Sequence, residues 1–239
     1  MSVTDREQLS DREKLERQTD LVNMMVHDLK GPLMEVMANL DLVINTPGID
    51  DMVRECSATA MTGCENMTEI ISDILQIGKL EAGLLKPEMG RLDMSSLAEE
   101  GLKKMRHTME DKNLIPVFKS SGPTFVRADK KLIIRVLANL LINAIKFSPN
   151  GARLQVIVDK RGGRARCTVK DEGPGVPAEY RDAIFDKYVQ VELRTHRVPG
   201  GAGLGLTFCK LAMEAQNGRI GLENTEHGSE FFFEAALDG

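Results

Sequence analysis

Apolar residues recur at a seven-residue interval through the first part of the chain: Leu15, Val22, Leu29, Val36 and Val43. Met25, Val26, Leu33 and Leu40 widen the stripe. Between Asp5 and about Thr46 the only helix breaker is Gly31-Pro32. A heptad sustained over ~40 residues predicts a coiled coil or helical bundle rather than an ordinary three-turn helix. Asn45-Thr46-Pro47-Gly48 ends that helix and turns the chain. A second helix is predicted from about Asp50 to Ala82, with Met67, Ile70, Ile74 and Ile77 on one face. Gly83 stands where a left-handed C-terminal residue belongs. Two antiparallel helices cannot bury both stripes by themselves, whereas a second copy of the hairpin closes a four-helix bundle. The pattern therefore predicts a homodimer through residues 15–86.

After Lys86-Pro87 the period changes. Short strand-like runs alternate with helices: a strand at Arg91–Met94, a helix from Ser95 to about Asp111, strands at Asn113–Lys119 and Thr124–Arg127. A helix follows over Lys130–Phe147 with Asp129 as its N-cap. Strands at Arg153–Lys160 and Arg164–Asp171 form a hairpin. A helix over Gly203–Gln216 and strands at Gly218–Glu223 and Glu230–Ala236 complete the chain. The expected fold class is α+β: the helical hairpin, then an α/β sandwich with helices on one face of a mixed sheet. The expected boundaries are 1–19 for an N-terminal coiled-coil helix, 20–86 for the bundle and 87–239 for the sandwich.

Composition narrows the function. With 42% apolar and 28% charged residues the chain is ordinary for a water-exposed globular protein. Trp is absent, so the core is aliphatic with Met as filler. A net charge of −5 and the lack of a basic stripe argue against nucleic acid as partner. No apolar run reaches ~18 residues, and the charged N-terminus lacks a signal region, so no membrane segment and a cytoplasmic location are expected. Cys56, Cys64, Cys167 and Cys209 show no C-x-x-C spacing and are expected as small buried hydrophobes.

Four stretches carry chemistry. His27-Asp28-Leu29-Lys30-Gly31-Pro32 places an imidazole beside a carboxylate. With Val22 and Leu29 on the seam, His27 lies about 140–160° around the helix, facing solvent, at ~100° per residue. A neutral imidazole is a competent nucleophile, and Asp28 can orient it or take its proton. The alternative is a surface histidine without a role. Asn139, Asn143 and Lys146 recur on one face of an otherwise apolar helix. They are either satisfied by local hydrogen bonds or form a phosphate and Mg²⁺ site, Asn143 offering an amide oxygen and Lys146 a charge. Asp171-Glu172-Gly173-Pro174-Gly175 ends a strand, where a carboxylate can accept from an exocyclic amine such as that of adenine. Gly200-Gly201-Ala202-Gly203-Leu204-Gly205 opens a helix whose N–H groups attract phosphate. Singly, the last two are weak signals.

Together and in this order, the four stretches resemble a sensor histidine kinase of two-component signalling, over roughly residues 15–239. The resemblance implies a dimerisation and phosphoacceptor hairpin followed by a gyrase-type catalytic ATP-binding domain. It implies His27 as phosphoacceptor and Asp28 as its acidic neighbour. Asn139, Asn143, Lys146, Phe147, Asp171, Gly173, Gly175, Lys187, Gly201, Gly203, Leu204 and Gly205 are implied as ATP contacts, with Asn143 on Mg²⁺. Phe185 and Tyr188 match an aromatic box. The stretch from Gln190 to Pro199 is implied as an ATP lid, with Arg194, Arg197 and Lys187 as further phosphate contacts. His107, His196 and His227 are expected as solvated surface residues. The implied activity is ATP-dependent autophosphorylation and transfer to an aspartate on a response-regulator receiver domain. Where many relatives carry Thr or Asn four residues after the phosphoacceptor, this chain has Gly31, so phosphatase activity toward the regulator is expected to be weak or absent. No sensor domain is expected in the residues before His27; its input would come from upstream or from a separate protein. Two other classes stay open: a scaffold that binds ATP without moving phosphate, and a gyrase-like hydrolase, against which Asn139 stands where that class places a carboxylate base.

Overall fold

The computed structural model describes residues 24, 26, 28–189, 202–225 and 228–238. The chain divides into two compact units, one ending at Leu85 and the next beginning at Lys86.

In the first unit, helix α1 runs over 28–44 and helix α2 over Asp51–Glu81. The Gly31-Pro32 pair sits inside continuous helix. Asp50 caps α2 by accepting from the Met52 N–H at 2.8 Å. The Arg54 guanidinium donates to the Ile44 carbonyl, and to that of Thr46 at 3.4 Å, satisfying the open end of α1. Gly83 has φ +63°, and the Leu84 N–H reaches back to the Lys79 carbonyl at 2.9 Å, the bond that terminates α2 as the sequence implied. Burial follows the predicted stripe only in part: on α2 Ile77 is buried and Ile70 half-buried, while Ser57, Met61, Cys64, Thr68 and Ile71 form a second less exposed row at helical spacing. Met67 and Ile74 remain 48% and 39% exposed. The heptad residues Leu29 and Val36 are likewise 57% and 48% exposed, while Leu33, Met37 and Leu40 are half-buried. Each helix thus carries two apolar faces, and one chain covers only one of them. Cys56 is exposed, contrary to expectation, because it falls on the solvent side of the Ser57 face. The other three cysteines are buried, and burial pushes the Cys167 thiol up to about 12.

The second unit opens with β1 (Met89–Asp93), then α3 (Met94–Lys104), α4 (Arg106–Glu110), β2 (Ile115–Ser120), β3 (Phe125–Asp129) and α5 (Lys130–Phe147). Next come β4 (Arg153–Arg161), β5 (Arg164–Lys170), two 3₁₀ turns (Ala178–Tyr180 and Ala183–Phe185), α6 (Gly205–Glu214), β6 (Arg219–Asn224) and β7 (Ser229–Ala236). Five strands form one sheet in the order β2-β4-β5-β7-β6. β2 and β4 are parallel and the rest antiparallel. β1 and β3 pair separately. Leu154, Val156 and Val158 of β4, Ala165, Cys167 and Val169 of β5, and Phe231, Phe233 and Ala235 of β7 are buried at every second position. They lie under the apolar faces of α3, α5 and α6. The opposite sheet face carries cross-strand charge pairs, Arg166 with Glu234 at 2.7 Å and with Glu223, and Lys170 with Glu230. This is the predicted sandwich of helices on one face of a mixed sheet.

Most strand boundaries shift by a residue or two, β1 starting at Met89 rather than Arg91, and three shifts have a visible local cause. The helix expected over Ser95–Asp111 breaks at Met105, whose ψ of 2° ends α3, and Met109 beyond the break is fully buried. β2 begins at Ile115 because Asn113 takes the left-handed conformation, φ 52°. α6 begins two residues late because Gly203 is also left-handed, φ +70°.

Candidate nucleotide site

The site is built around α5. Its N-terminus is fixed by Asp129, which accepts from the Lys131 and Leu132 N–H groups at 2.8 and 3.1 Å, and the Asp129 N–H donates to the Gln216 amide oxygen at 3.0 Å. Leu132, Ile133, Val136, Leu137, Leu140, Leu141, Ala144 and Ile145 turn inward. Asn139, Asn143 and Lys146 share the half-buried face left over. Asn139 donates to the Gly205 carbonyl at 3.4 Å and so joins α5 to the first residue of α6. A side-chain carbon on Gly205 would stand 3.4 Å from the Asn139 amide oxygen, which makes this crossing close. The Asn143 side chain makes no hydrogen bond among the described residues. Lys146 has no carboxylate partner among them, and burial lowers its pKa below the usual lysine value. Its ammonium lies 5.3 Å from the centre of the neighbouring Phe147 ring.

The second wall is the turn after β5. Asp171 is 3% exposed. One carboxylate oxygen, Oδ1, accepts from the Gly173 N–H at 2.8 Å and the Ser229 N–H at 3.2 Å. Burial pushes the Asp171 carboxyl above the ordinary range, and the Gly173 and Ser229 hydrogen bonds oppose that push. Gly173 is sterically obligatory: a Cβ there would lie 2.8 Å from both Asp171 Oδ1 and the Phe147 carbonyl. This contact brings the end of α5 against the turn. Gly175, φ +72°, packs against the Gly228 carbonyl.

The third wall is the entry to α6. Tyr188, φ 63° and 66% exposed, donates its N–H to the Gly203 carbonyl at 3.2 Å. A Cβ on Gly203 would come within 3.0–3.1 Å of the Tyr188 and Val189 backbone. Leu204 is buried behind it. Among the described residues no side chain caps α6 and no acidic residue lies in its first turn, an arrangement in which helix N–H groups can meet an anion. Thr207, in that turn, is buried, and its hydroxyl lacks a partner among the described residues.

The structure thus brings together Asn139, Phe147, Asp171, Gly173, Gly175, Gly203, Leu204 and Gly205, with Asn143 and Lys146 on the α5 face they border. Phe185 is half-buried and packs edge-on against Phe231 with ring centres 6.4 Å apart. Lys187 is exposed beyond the second 3₁₀ turn. Asp28 is exposed on α1 of the other unit, and His107 is a solvated side chain on α4, 3.7 Å from Glu110. His27, Arg194, His196, Arg197, Gly201 and His227, and the lid segment 190–199, lie outside the described residues. Sequence reasoning missed Ser229 and Thr207. Thr207, between Leu206 and Phe208, is a small polar residue in an apolar context, the one signal that could have drawn attention to it, whereas Ser229 breaks no local pattern.

The donor set fits a magnesium nucleotide. Asn143 offers an unused amide oxygen, Lys146 and the α6 N-terminus offer positive potential, and Asp171 offers a second carboxylate oxygen. Among the described residues no cluster of three His, Cys, Asp or Glu is placed to hold an ion. Among the same residues no helix is long and apolar enough to cross a membrane.

Comparison with known proteins agrees with this geometry. Residues 17–83 match the His Kinase A (phospho-acceptor) domain family, and residues 128–239 match the histidine kinase-, DNA gyrase B- and HSP90-like ATPase family. The sensor-like histidine kinase SenX3 of Mycolicibacterium smegmatis is 27% identical over 85% of this chain and 53% of its own length. The adaptive-response sensory kinase SasA of Microcystis aeruginosa is 29% identical over 92% of this chain and 59% of its own. The chain therefore spans little more than half the length of these relatives. The crystal structure of full-length ShkA in complex with AMPPNP superposes with a TM-score of 0.79 at 25% identity, covering 91% of this chain and 46% of that one. With both domains present in this order, the chain belongs to the sensor histidine kinases of two-component signalling.

Proposed function

We propose that this chain is an ATP-dependent histidine kinase that phosphorylates itself on His27 and passes the phosphoryl group to an aspartate of a response-regulator receiver domain. The observation that carries this reading is the convergence on α5 of three separated motifs. Asn139 touches Gly205, and Phe147 touches Gly173. The buried carboxyl of Asp171 would accept from the exocyclic amine of adenine. Lys146 and the N-terminus of α6, with Thr207, Gly201, Gly203 and Gly205, would hold the phosphates, Lys187 and the lid adding contacts. Asn143 would bind Mg²⁺, which supplies charge neutralisation at the transferred phosphoryl group. His27 nitrogen attacks the γ-phosphorus in line. A P–N bond forms as the bond to the β-phosphate oxygen breaks, ADP departs with that electron pair, and Asp28 receives the imidazole proton.

The exposed second faces of α1 and α2, Leu29, Val36, Met67 and Ile74, support a homodimer through residues 15–86. We place the phosphoacceptor domain at 20–86, the catalytic domain at 87–239 and a signalling helix at 1–19, with a sensor domain upstream or on a separate protein, and the whole in the cytoplasm. Gly31 supports weak phosphatase activity.

The test is incubation with γ-labelled ATP and Mg²⁺, wild type beside His27→Gln. The expected label is lost in acid, survives alkali and is absent from the variant. Label retained by His27→Gln would overturn the assignment of the phosphoacceptor. Nucleotide binding without label in the wild type would favour a scaffold that moves no phosphate.

A further inference from the structure

Lys112 lies in the turn between α4 and β2. Its ammonium donates to the carbonyls of Ile145 at 2.9 Å, Lys146 at 2.8 Å and Ser148 at 3.3 Å. Its own carbonyl accepts from the Gly151 N–H at 3.0 Å, so the residue is bolted to the end of α5 and the turn after it through both side chain and backbone. The last carbonyls of a helix have no intrahelical donor and carry its negative end, and a cation there satisfies both needs. The Ala144 carbonyl is already used by the N–H and hydroxyl of Ser148, at 3.0 and 2.6 Å. The Phe147 carbonyl abuts Gly173. Four of the five carbonyls from 144 to 148 are therefore hydrogen-bonded, three of them by one ammonium.

We propose that Lys112 is a positioning residue of the nucleotide site: it clamps the last turn of α5 so that Lys146 and Phe147 keep their places beside the Asp171 turn. The proposal rests on the reading of those two side chains as nucleotide contacts. Lys112 itself touches no ligand. Without its ammonium the three carbonyls lose a charge-assisted donor, the last turn frays, and the Lys146 cation loses its fixed direction.

The experiment is a double-mutant cycle on the full chain, read as the dissociation constant of MgATP by calorimetry at low temperature. The proteins are wild type, Lys112→Met, Lys112→Arg, Lys146→Met and the Lys112→Met/Lys146→Met double variant, with circular dichroism to establish folding. Lys112→Met is expected to weaken MgATP about tenfold. Lys112→Arg restores binding to within about threefold of wild type. In the Lys146→Met background, Lys112→Met should cost less than about threefold, because residues acting through one another are not additive. Unchanged MgATP affinity in folded Lys112→Met overturns the proposal. An undiminished loss in the Lys146→Met background also overturns it, since that marks a general structural role. If Lys112→Met fails to fold, Lys112→Gln, which keeps a donor, is carried through the same cycle and judged by the same two criteria. Failure of the wild type to bind MgATP would sink the nucleotide reading itself, which separates the two failures.

Discussion

Asp171→Asn should separate ligand recognition from stability in opposite directions. Asp171 is 3% exposed, and its carboxyl holds its proton more tightly in the folded chain than in the unfolded one, mainly because burial penalises the charge. A carboxyl whose folded-state pKa is raised loses stability as pH climbs from its unfolded value towards its folded one, and the full penalty stands above the folded value. Asparagine has the same shape, and its amide oxygen can still accept from the Gly173 and Ser229 N–H groups that now reach Oδ1 at 2.8 and 3.2 Å. The melting temperature of Asp171→Asn should therefore equal or exceed that of wild type. The second carboxylate oxygen becomes an NH₂, which meets the exocyclic amine of adenine donor to donor. Losing a hydrogen bond to a charged acceptor costs about 1.5–3 kcal/mol. At about 2 kcal/mol the dissociation constant of MgATP rises roughly 30-fold. A purine nucleoside triphosphate lacking the amine should bind wild type and variant within about threefold, because the lost contact is absent from both. Calorimetry measures the affinities and differential scanning calorimetry the stability. Equal MgATP affinity for the two proteins would refute Asp171 as the adenine acceptor. A melting temperature several degrees lower would refute the burial argument.

Three further outcomes follow from the same structure. MgATP affinity should fall as pH drops through a value above the ordinary carboxylate range, because a protonated Asp171 gives up its charge, and Asp171→Asn should lose this acid limb; on the alkaline side, the burial of Lys146 should bring the loss of affinity in below the usual lysine range. A pH titration by calorimetry that is identical for both proteins would contradict this. Gly63→Ala, in mid-α2 with nothing within 4 Å of the added carbon, should raise unfolding free energy by about 1 kcal/mol in urea denaturation, since alanine loses less backbone entropy than glycine in a helix. Gly228→Ala should abolish cooperative thermal unfolding, because its φ of +84° is strained for alanine and the new carbon would run into the Asp171 carbonyl.

The elements that could be read from the sequence were those whose causes are local. α5 occupies Lys130–Phe147 as predicted: Asp129 caps its start, an unbroken apolar face fills its length, and Ser148-Pro149 ends it. Gly83 marked the end of α2 for the same reason. Periodicity failed where a helix bends without losing its pattern. Met105 breaks the helix expected over Ser95–Asp111, yet Leu102 and Met109 on its two sides both remain buried, so no residue announced the break. Periodicity also could not say which of two stripes a single chain covers. The heptad of Leu29 and Val36 is real in the sequence but exposed in the hairpin, because Leu33, Met37 and Leu40 form a second stripe beside it.

The site divides along the same line. Asn139, Asn143 and Lys146 were legible because three polar residues on an apolar helix violate its pattern, and Asp171 because glycines cluster after it. What makes these residues a site is long-range. Asn139 meets Gly205 across 66 residues, Asp171 meets Ser229 across 58, and Lys112 reaches the Lys146 carbonyl across 34. Ser229 and Lys112 break no local pattern; a serine at a strand start and a lysine in a turn are what solvent exposure alone would place there. Their partners are backbone groups, and a backbone N–H or carbonyl looks the same in sequence whatever the residue that bears it. Apart from Thr207, the side chains that would touch the ligand were therefore readable from residue type, and those that hold the ligand's contacts in place were not. The Lys112 cycle tests whether this second group shapes nucleotide affinity or only the fold.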